Sequence, residues 1–160
     1  MLCNTASRKV RMKSIHVSIR DQQLTLKENE QAIRKYPVST SRFGIGTEEG
    51  SFKTPTGRFR VAEKIGSEMP KGTVFVGRVP LQSDQEPPLT EDLVTSRILW
   101  LDGLDEHNAN THDRFVYIHG TKHEHKVGTA ASHGCVRMRN EDVIELFGMV
   151  DEGTPVVIEE

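Results

Sequence analysis

Ser14-Ile15-His16-Val17-Ser18-Ile19-Arg20 alternates polar and apolar side chains without a break, and this stretch decides how the rest of the chain reads. A period of two puts Ile15, Val17 and Ile19 on one face of a strand, whereas a helix would repeat every 3.6 residues. The pattern continues outward: residues 22–27 and about 31–39 read as two further short strands, with Asp21-Gln22 and Lys27 to Glu30 supplying turns between them. The chain therefore opens as a β-meander. The same alternation argues against an export signal, because the basic cluster Arg8, Lys9, Arg11, Lys13 is followed by a strand rather than by an apolar core of ~7–15 residues.

The 160 residues, 35% hydrophobic and 28% charged, describe one globular domain with enough apolar material for a core. It is assigned to residues 14–160, with 1–13 as a flexible N-terminal tail. A net charge of -2 offers no attraction for nucleic acid or an anionic membrane surface, and neither is expected as a partner. No apolar run approaches the ~20 residues of a bilayer span, so no membrane segment is expected. Taken as it stands, the chain is expected in the cytoplasm, or in the periplasm if its N-terminus has been trimmed. Gln82 to His107 holds seven acids against the single base Arg97, which reads as a solvated face.

Ser39 to Gly57 is a loop rich in Ser, Thr and Gly that ends in Thr54-Pro55-Thr56-Gly57 before Arg58 to Ala62 resumes a strand. Gly44-Ile45-Gly46 lacks the third glycine and the strand-to-helix setting of a dinucleotide site. From 66 to 110, four prolines exclude long helices, and only Val74 to Val76 and Ile98 to Leu101 look like strands. That region reads as a lid over the site or as a disordered insertion, with Trp100 as a core side chain. Asn140 as a cap, Glu141 and Asp142 in the first turn, an apolar face from Val143 to Phe147 and Gly148 as a stop predict a helix over 140–147. Val156 to Ile158 is the last strand. The sum is a mainly β domain with one helix near its C-terminus.

The chemistry concentrates in Ser132-His133-Gly134-Cys135-Val136-Arg137. A free thiol titrates near ~8.5, so a nucleophilic cysteine needs an imidazole or converging N–H groups. His119 ends the apolar run Phe115 to His119, which reads as a buried strand delivering that side chain to a sheet edge. The competing reading is a structural cysteine among incidental histidines. The other cysteine, Cys3, lies in the polar N-terminal segment, and two cysteines are too few for a disulfide scaffold. A metal hydrolase is suggested by His107, His112, His119, His123 and His125 within one short region, but no His-Glu-x-x-His helix or Cys-x-x-Cys pair accompanies them. No metal or cofactor is expected.

These stretches together resemble the L,D-transpeptidase catalytic domain, also called the YkuD domain. The resemblance rests on Thr54-Pro55-Thr56-Gly57-Arg58-Phe59, Ile118-His119-Gly120-Thr121, Gly128, Ser132 to Met138 and Gly153-Thr154-Pro155-Val156, in that order. It implies a β-sandwich with a capping helix and action on peptidoglycan stem peptides or muropeptides. It also implies Cys135 as nucleophile, His119 as base and the Gly120 carbonyl as the group that orients the imidazole. Cys135 would attack the L-centre carbonyl of the diamino acid in a tetrapeptide stem, releasing D-alanine and leaving a thioester. The N–H groups of Gly134 and Cys135 are natural oxyanion donors. His133 lines the pocket or ranks second as base, Ser132 bonds the turn, and Arg137 pairs with a substrate carboxylate or holds the loop to the helix. With no export signal read in the sequence, water is the expected acceptor, with cross-linking or D-amino-acid exchange as the alternative. A non-catalytic wall-peptide-binding module is a third possibility.

Overall fold

The computed structural model describes residues 11–90 and 92–160. Residues 1–10, which hold most of the expected tail and Cys3, lie outside them. The meander forms as expected: β1 (Lys13–Ser18), β2 (Gln23–Glu28) and β3 (Gln31–Ser39) are antiparallel neighbours, with Ile15 opposite Leu26 and Val17 opposite Leu24. Gln22, Asn29 and Glu30 make the turns with positive φ. Seven more strands follow: β4 (Gly57–Ile65), β5 (Val74–Val76), β6 (Val79–Pro80), β7 (Val94–Gly103), β8 (Tyr117–Gly120), β9 (Val136–Met138) and β10 (Pro155–Glu159).

The strands join in the order β4-β10-β1-β2-β3-β9-β8-β7-β5-β6, and a further pairing of β4 with β7 closes the sheet on itself. Closure leaves eight strands without an open edge and removes the template for edge-to-edge association. The enclosed space is filled by Ile15, Val17, Leu24, Leu26, Phe59 and Leu101, with Ile118, Val136 and Met138 from the strands that carry the site. The only α-helix among the described residues, α1 (Asn140–Met149), adds Val143, Leu146 and Phe147 to the same core and packs against β7 and β8.

Two local readings are corrected. Asn140 does not cap α1. Arg139 is the N-cap residue, in extended backbone, and the Asn140 side chain turns inward: its Oδ1 accepts from Thr95 Oγ1 (2.6 Å) and Ser96 Oγ (2.5 Å), and its Nδ2 donates to Thr121 O (2.9 Å) and Glu124 Oε1 (2.7 Å). Gly148 does not stop the helix, which runs to Met149 and ends at Val150 in extended backbone.

The irregular region also has more order than its composition suggests. β7 spans ten residues rather than the four apolar ones, because Thr95, Ser96 and Arg97 are buried polar positions that hide its period. Ser96 has φ of 68° at a bulge between Thr95 and Ile98, and the Arg97 guanidinium donates to Met69 O and Ser96 O. On the outer face of β7 and β8, Ile98, Trp100 and Tyr117 form a second cluster with Phe75, joined by Ile65, Met69 and Val94. β7 is covered on both faces, which is why it is buried through most of its length.

Candidate active site

β8 and β9 run parallel, with Ile118 opposite Val136 and His119 opposite Arg137. Alternation sends Ile118, Val136 and Met138 into the enclosed core. Tyr117 and Cys135 join the outer cluster, and His119 and Arg137 sit at the alternate positions that share their face. One face of one strand pair thus collects a thiol, an imidazole and a guanidinium.

The turn before Cys135 is built from short polar bonds. Ser132 Oγ donates to Cys135 O (2.6 Å) and accepts from the Gly134 N–H (3.2 Å), so Ser132 ties the turn on both sides of the nucleophile candidate. The Gly134 N–H, read from sequence as an oxyanion donor, is engaged there. Gly134 has φ of 119°, and a Cβ at this position would lie 3.2 Å from Lys53 O. Thr54 supplies the next support: its hydroxyl donates to Gly134 O (3.0 Å) and accepts from the Ser41 N–H (3.0 Å). That gives the Thr-Pro-Thr-Gly word a structural role beyond its turn, and the sequence signal for it was the word itself. Arg114 fastens the same loop by donating to Lys53 O (2.9 Å).

His119 is fully buried. Its Nδ1–H donates to Gly120 O (2.6 Å), which leaves Nε2 with a lone pair, and that nitrogen is buried without a hydrogen-bond partner among the described residues. An imidazole held in this tautomer presents a base. Burial lowers its pKa below 6.5, against the opposing pull of Asp92 and the Gly120 carbonyl. Gly120 could not be larger, since a Cβ would fall 2.6 Å from both Asn140 Oδ1 and Thr95 O.

The Cys135 side chain is half-buried. The Tyr117 N–H donates to Sγ (3.3 Å), and Sγ lies 3.4 Å from Phe115 O. Burial, reinforced by the Asp92 carboxylate, pushes the thiol up to about 12, while the Tyr117 N–H and the Arg137 and Arg114 guanidinium groups pull it down. The burial comes from the apolar wall of Ile98, Trp100 and Tyr117. Burial thus favours the neutral form of both the thiol and the imidazole.

Asp92 is the residue that sequence reading missed, because it lies in the acidic stretch taken for a solvated face. Its Oδ1 accepts from Arg137 Nε (2.9 Å) and Nη2 (2.6 Å), and its Oδ2 stands 4.0 Å from His133 Nδ1. Burial raises its pKa, but His119, Arg137 and His133 outweigh that and hold the carboxyl below its ordinary value. Arg137 Nη2 also donates to His133 Nδ1 (3.3 Å). The guanidinium, only 2% exposed, is thus paired with Asp92 rather than with α1.

His133 lines a cleft of about 270 Å³ with Glu49, Phe52, Asp113, Arg114 and Phe115. Its ring packs on Phe52 (5.8 Å) and Phe43 (5.9 Å). Phe52 and Phe115 both have positive φ, 58° and 57°, a strained backbone for bulky residues and one concentrated at functional sites. A larger cleft of about 910 Å³, lined by Ile19, Arg20, Gln22, Arg42 and others, touches neither Cys135 nor His119. The remaining histidines disperse: His112 stacks on Trp100 at 3.9 Å, His107 bonds Thr56 O, and His123 packs edge-on to His125. Among the described residues no three His, Cys, Asp or Glu side chains converge on one point.

The family model of the L,D-transpeptidase catalytic domain, YkuD, matches residues 12–158. The chain belongs to this family. The L,D-transpeptidase-family protein YkuD of Bacillus subtilis is 30% identical over 144 residues, covering 90% of this chain and 64% of its own length. The chain thus spans somewhat less than two thirds of that relative. YbiS of Escherichia coli, also named for the L,D-transpeptidases, is 51% identical over 43 residues, 27% of this chain and 14% of its own. Among solved structures, an L,D-transpeptidase from Mycobacterium smegmatis superposes with a TM-score of 0.62 at 17% identity, covering 94% of this chain and 59% of that one. L,D-transpeptidase 3 of Mycobacterium tuberculosis, solved with a faropenem-derived adduct, gives 0.62 at 18% identity, with coverage of 94% and 61%. The L,D-transpeptidase fold is accordingly that of this chain: mainly β, with one helix near the C-terminus.

Proposed function

We propose that this L,D-transpeptidase domain cleaves the terminal D-alanine from peptidoglycan tetrapeptide stems through a thioester on Cys135. The observation that carries the reading is the buried His119 imidazole, with Nδ1–H spent on Gly120 O and Nε2 unpartnered on the face shared with Cys135. His119 Nε2 accepts the thiol proton as sulfur attacks the L-centre carbonyl, and then delivers it to the departing amine. The thioester carbonyl is next attacked by an acceptor, restoring the thiol. Because Ser132 engages the Gly134 N–H, the Cys135 N–H is the better candidate to face the oxyanion, with the turn pre-set by Ser132 and Thr54.

Water is the acceptor favoured here, since Cys135 is only half-buried and its sulfur lies 3.4 Å from the carbonyl of the exposed Phe115. The activity is then L,D-carboxypeptidase trimming of muropeptides. A second reading has support of its own: Glu49 and Asp113 on the cleft wall suit an acceptor amine, which would make the product a cross-link or an exchanged D-amino acid. Incubation with a disaccharide-tetrapeptide, followed by mass spectrometry, tests both. Tripeptide plus D-alanine supports hydrolysis, and dimer or exchange product in excess over tripeptide supports transfer. No release of D-alanine, with a folded protein, overturns the reading.

A further inference from the structure

The Arg137 guanidinium is 2% exposed, and a cation buried to that degree needs an anion beside it. Its anion does not come from the surrounding strands. Asp92 lies just before β7, at the end of a stretch from Gln82 to Thr90 that is exposed throughout. Upstream, Leu81 is pinned to the protein through its N–H on Val74 O (2.7 Å), and Asp92 is where the far end of the stretch meets the site. Both guanidinium bonds converge on Oδ1, and Oδ2 stands at 4.0 Å from His133, so the pair is not the two-oxygen fork that a permanent arginine–carboxylate bridge would favour. The carboxylate is 26% exposed against 2% for its partner: the anion can be reached by solvent and the cation cannot.

The position is also the wrong one for a purely structural bridge. Asp92 places a negative charge beside Arg137 and His133 on the face that carries Cys135 and His119. Its field raises the thiol and so opposes formation of the thiolate. A donor peptide ending in a D-amino acid brings its own carboxylate to within one residue of the bond that Cys135 attacks. Two carboxylates cannot share one guanidinium without strong repulsion.

We propose that Asp92 is a resident stand-in for the terminal carboxylate of the donor peptide, holding Arg137 while the site is empty and yielding it when that carboxylate arrives. The inference rests on the reading of Cys135 as the attacking group and deepens it by naming Arg137 as the residue that selects carboxylate-terminated donors. Asp92 acts through Arg137 and is a positioning residue. Its displacement would move the end of the exposed 82–90 stretch away from the thiol, so binding of the correct donor and removal of the unhelpful charge would be one event.

The test compares two alkylating agents that differ in charge, iodoacetate and iodoacetamide, on the full chain, with Cys135 modification followed by intact and peptide mass spectrometry. In each the sulfur displaces iodide from the CH2 carbon: an S–C bond forms, the C–I bond breaks with its electron pair leaving on iodide, and the thiol proton passes to solvent. In the Asp92→Asn variant, the ratio of iodoacetate to iodoacetamide rates should rise on the order of tenfold over wild type, because an unpaired Arg137 attracts the anionic reagent. Millimolar acetate should slow iodoacetate in the variant and not in wild type. An unchanged ratio, or equal acceleration by both reagents, would mean that Asp92 only covers the thiol and would overturn the proposal. A second measurement guards against a poorly folded variant: Asp92→Gly should melt higher in acetate than in acetamide, a difference absent from wild type, and no acetate-specific gain would also overturn it. Neither readout requires peptide turnover, so failure here is separable from failure of the proposed activity.

Discussion

At the level of single residues, the proposed activity rests on Cys135 and His119, and burial favours the uncharged form of both. A neutral His119 is what a base requires, and burial holds its pKa below the ordinary 6.5. Activity should therefore persist as pH falls through 6.5, with its acidic limb lying lower, a displacement read from the pH profile of kcat/KM. The same shift links to stability: the unfolded chain takes a proton on this histidine near 6.5 and the folded chain only at lower pH, so folding is disfavoured as pH drops between those two values. Thermal melting of wild type should fall over that window more steeply than melting of His119→Gln. His119→Ala should lower kcat by about 10²–10⁴-fold, whereas His123→Ala and His125→Ala, whose rings pack on each other in the 121–128 loop, should leave it near wild type. Gly134→Ala should also act on turnover: its φ of 119° lies where an L side chain is strained, and the added Cβ would press on Lys53 O, tilting the turn that aims Cys135. A kcat loss with a modest change in KM is the expected result.

Among the elements, the junction of β7, β8 and α1 decides whether the site holds its shape. Asn140 joins the three through four hydrogen bonds to Thr95, Ser96, Thr121 and Glu124. Asn140→Ala would strand two buried hydroxyls and a carbonyl, a loss of about 3 kcal/mol that chemical denaturation would read, with the midpoint moving and the m-value unchanged. Asn140 was legible as a helix start but not as a hub, because an Asn ahead of two acids has the same local signature whether it caps or turns inward. β7 was legible only where Ile98, Leu99, Trp100 and Leu101 run together. Its first four residues, Val94, Thr95, Ser96 and Arg97, are buried by elements far away in sequence, a tertiary effect that no local period reports. Conversely, the β1–β3 meander and the 140–147 helix stood out because one face of each meets the core and the other meets water, the condition under which periodicity is visible. Asp92 escaped for a similar reason: an acid among acids reads as surface, and only the folded chain shows which one meets Arg137.

For the whole molecule, the closed sheet is a frame that keeps β8 and β9 parallel and fixed while the segments around Cys135 carry the strain. The supports reach across the chain: Thr54 to Gly134 spans 80 positions, and Ser41 bridges to Ser132. Thr54→Val, isosteric but without the hydroxyl, should lower activity more than stability, since it frees the nucleophile turn while leaving the core intact. Separate melting and turnover assays check that division. The proposed reaction requires that Cys135 be acylated by the donor with His119 taking the thiol proton. It is tested most directly by intact-protein mass spectrometry during reaction with a penem or carbapenem β-lactam, which should form an adduct on the nucleophile, followed by peptide mapping. A single adduct on Cys135 is expected, lost in Cys135→Ala, retained in Cys3→Ala and formed much more slowly in His119→Ala. An adduct on any other residue, or equal rates with and without His119, would contradict it.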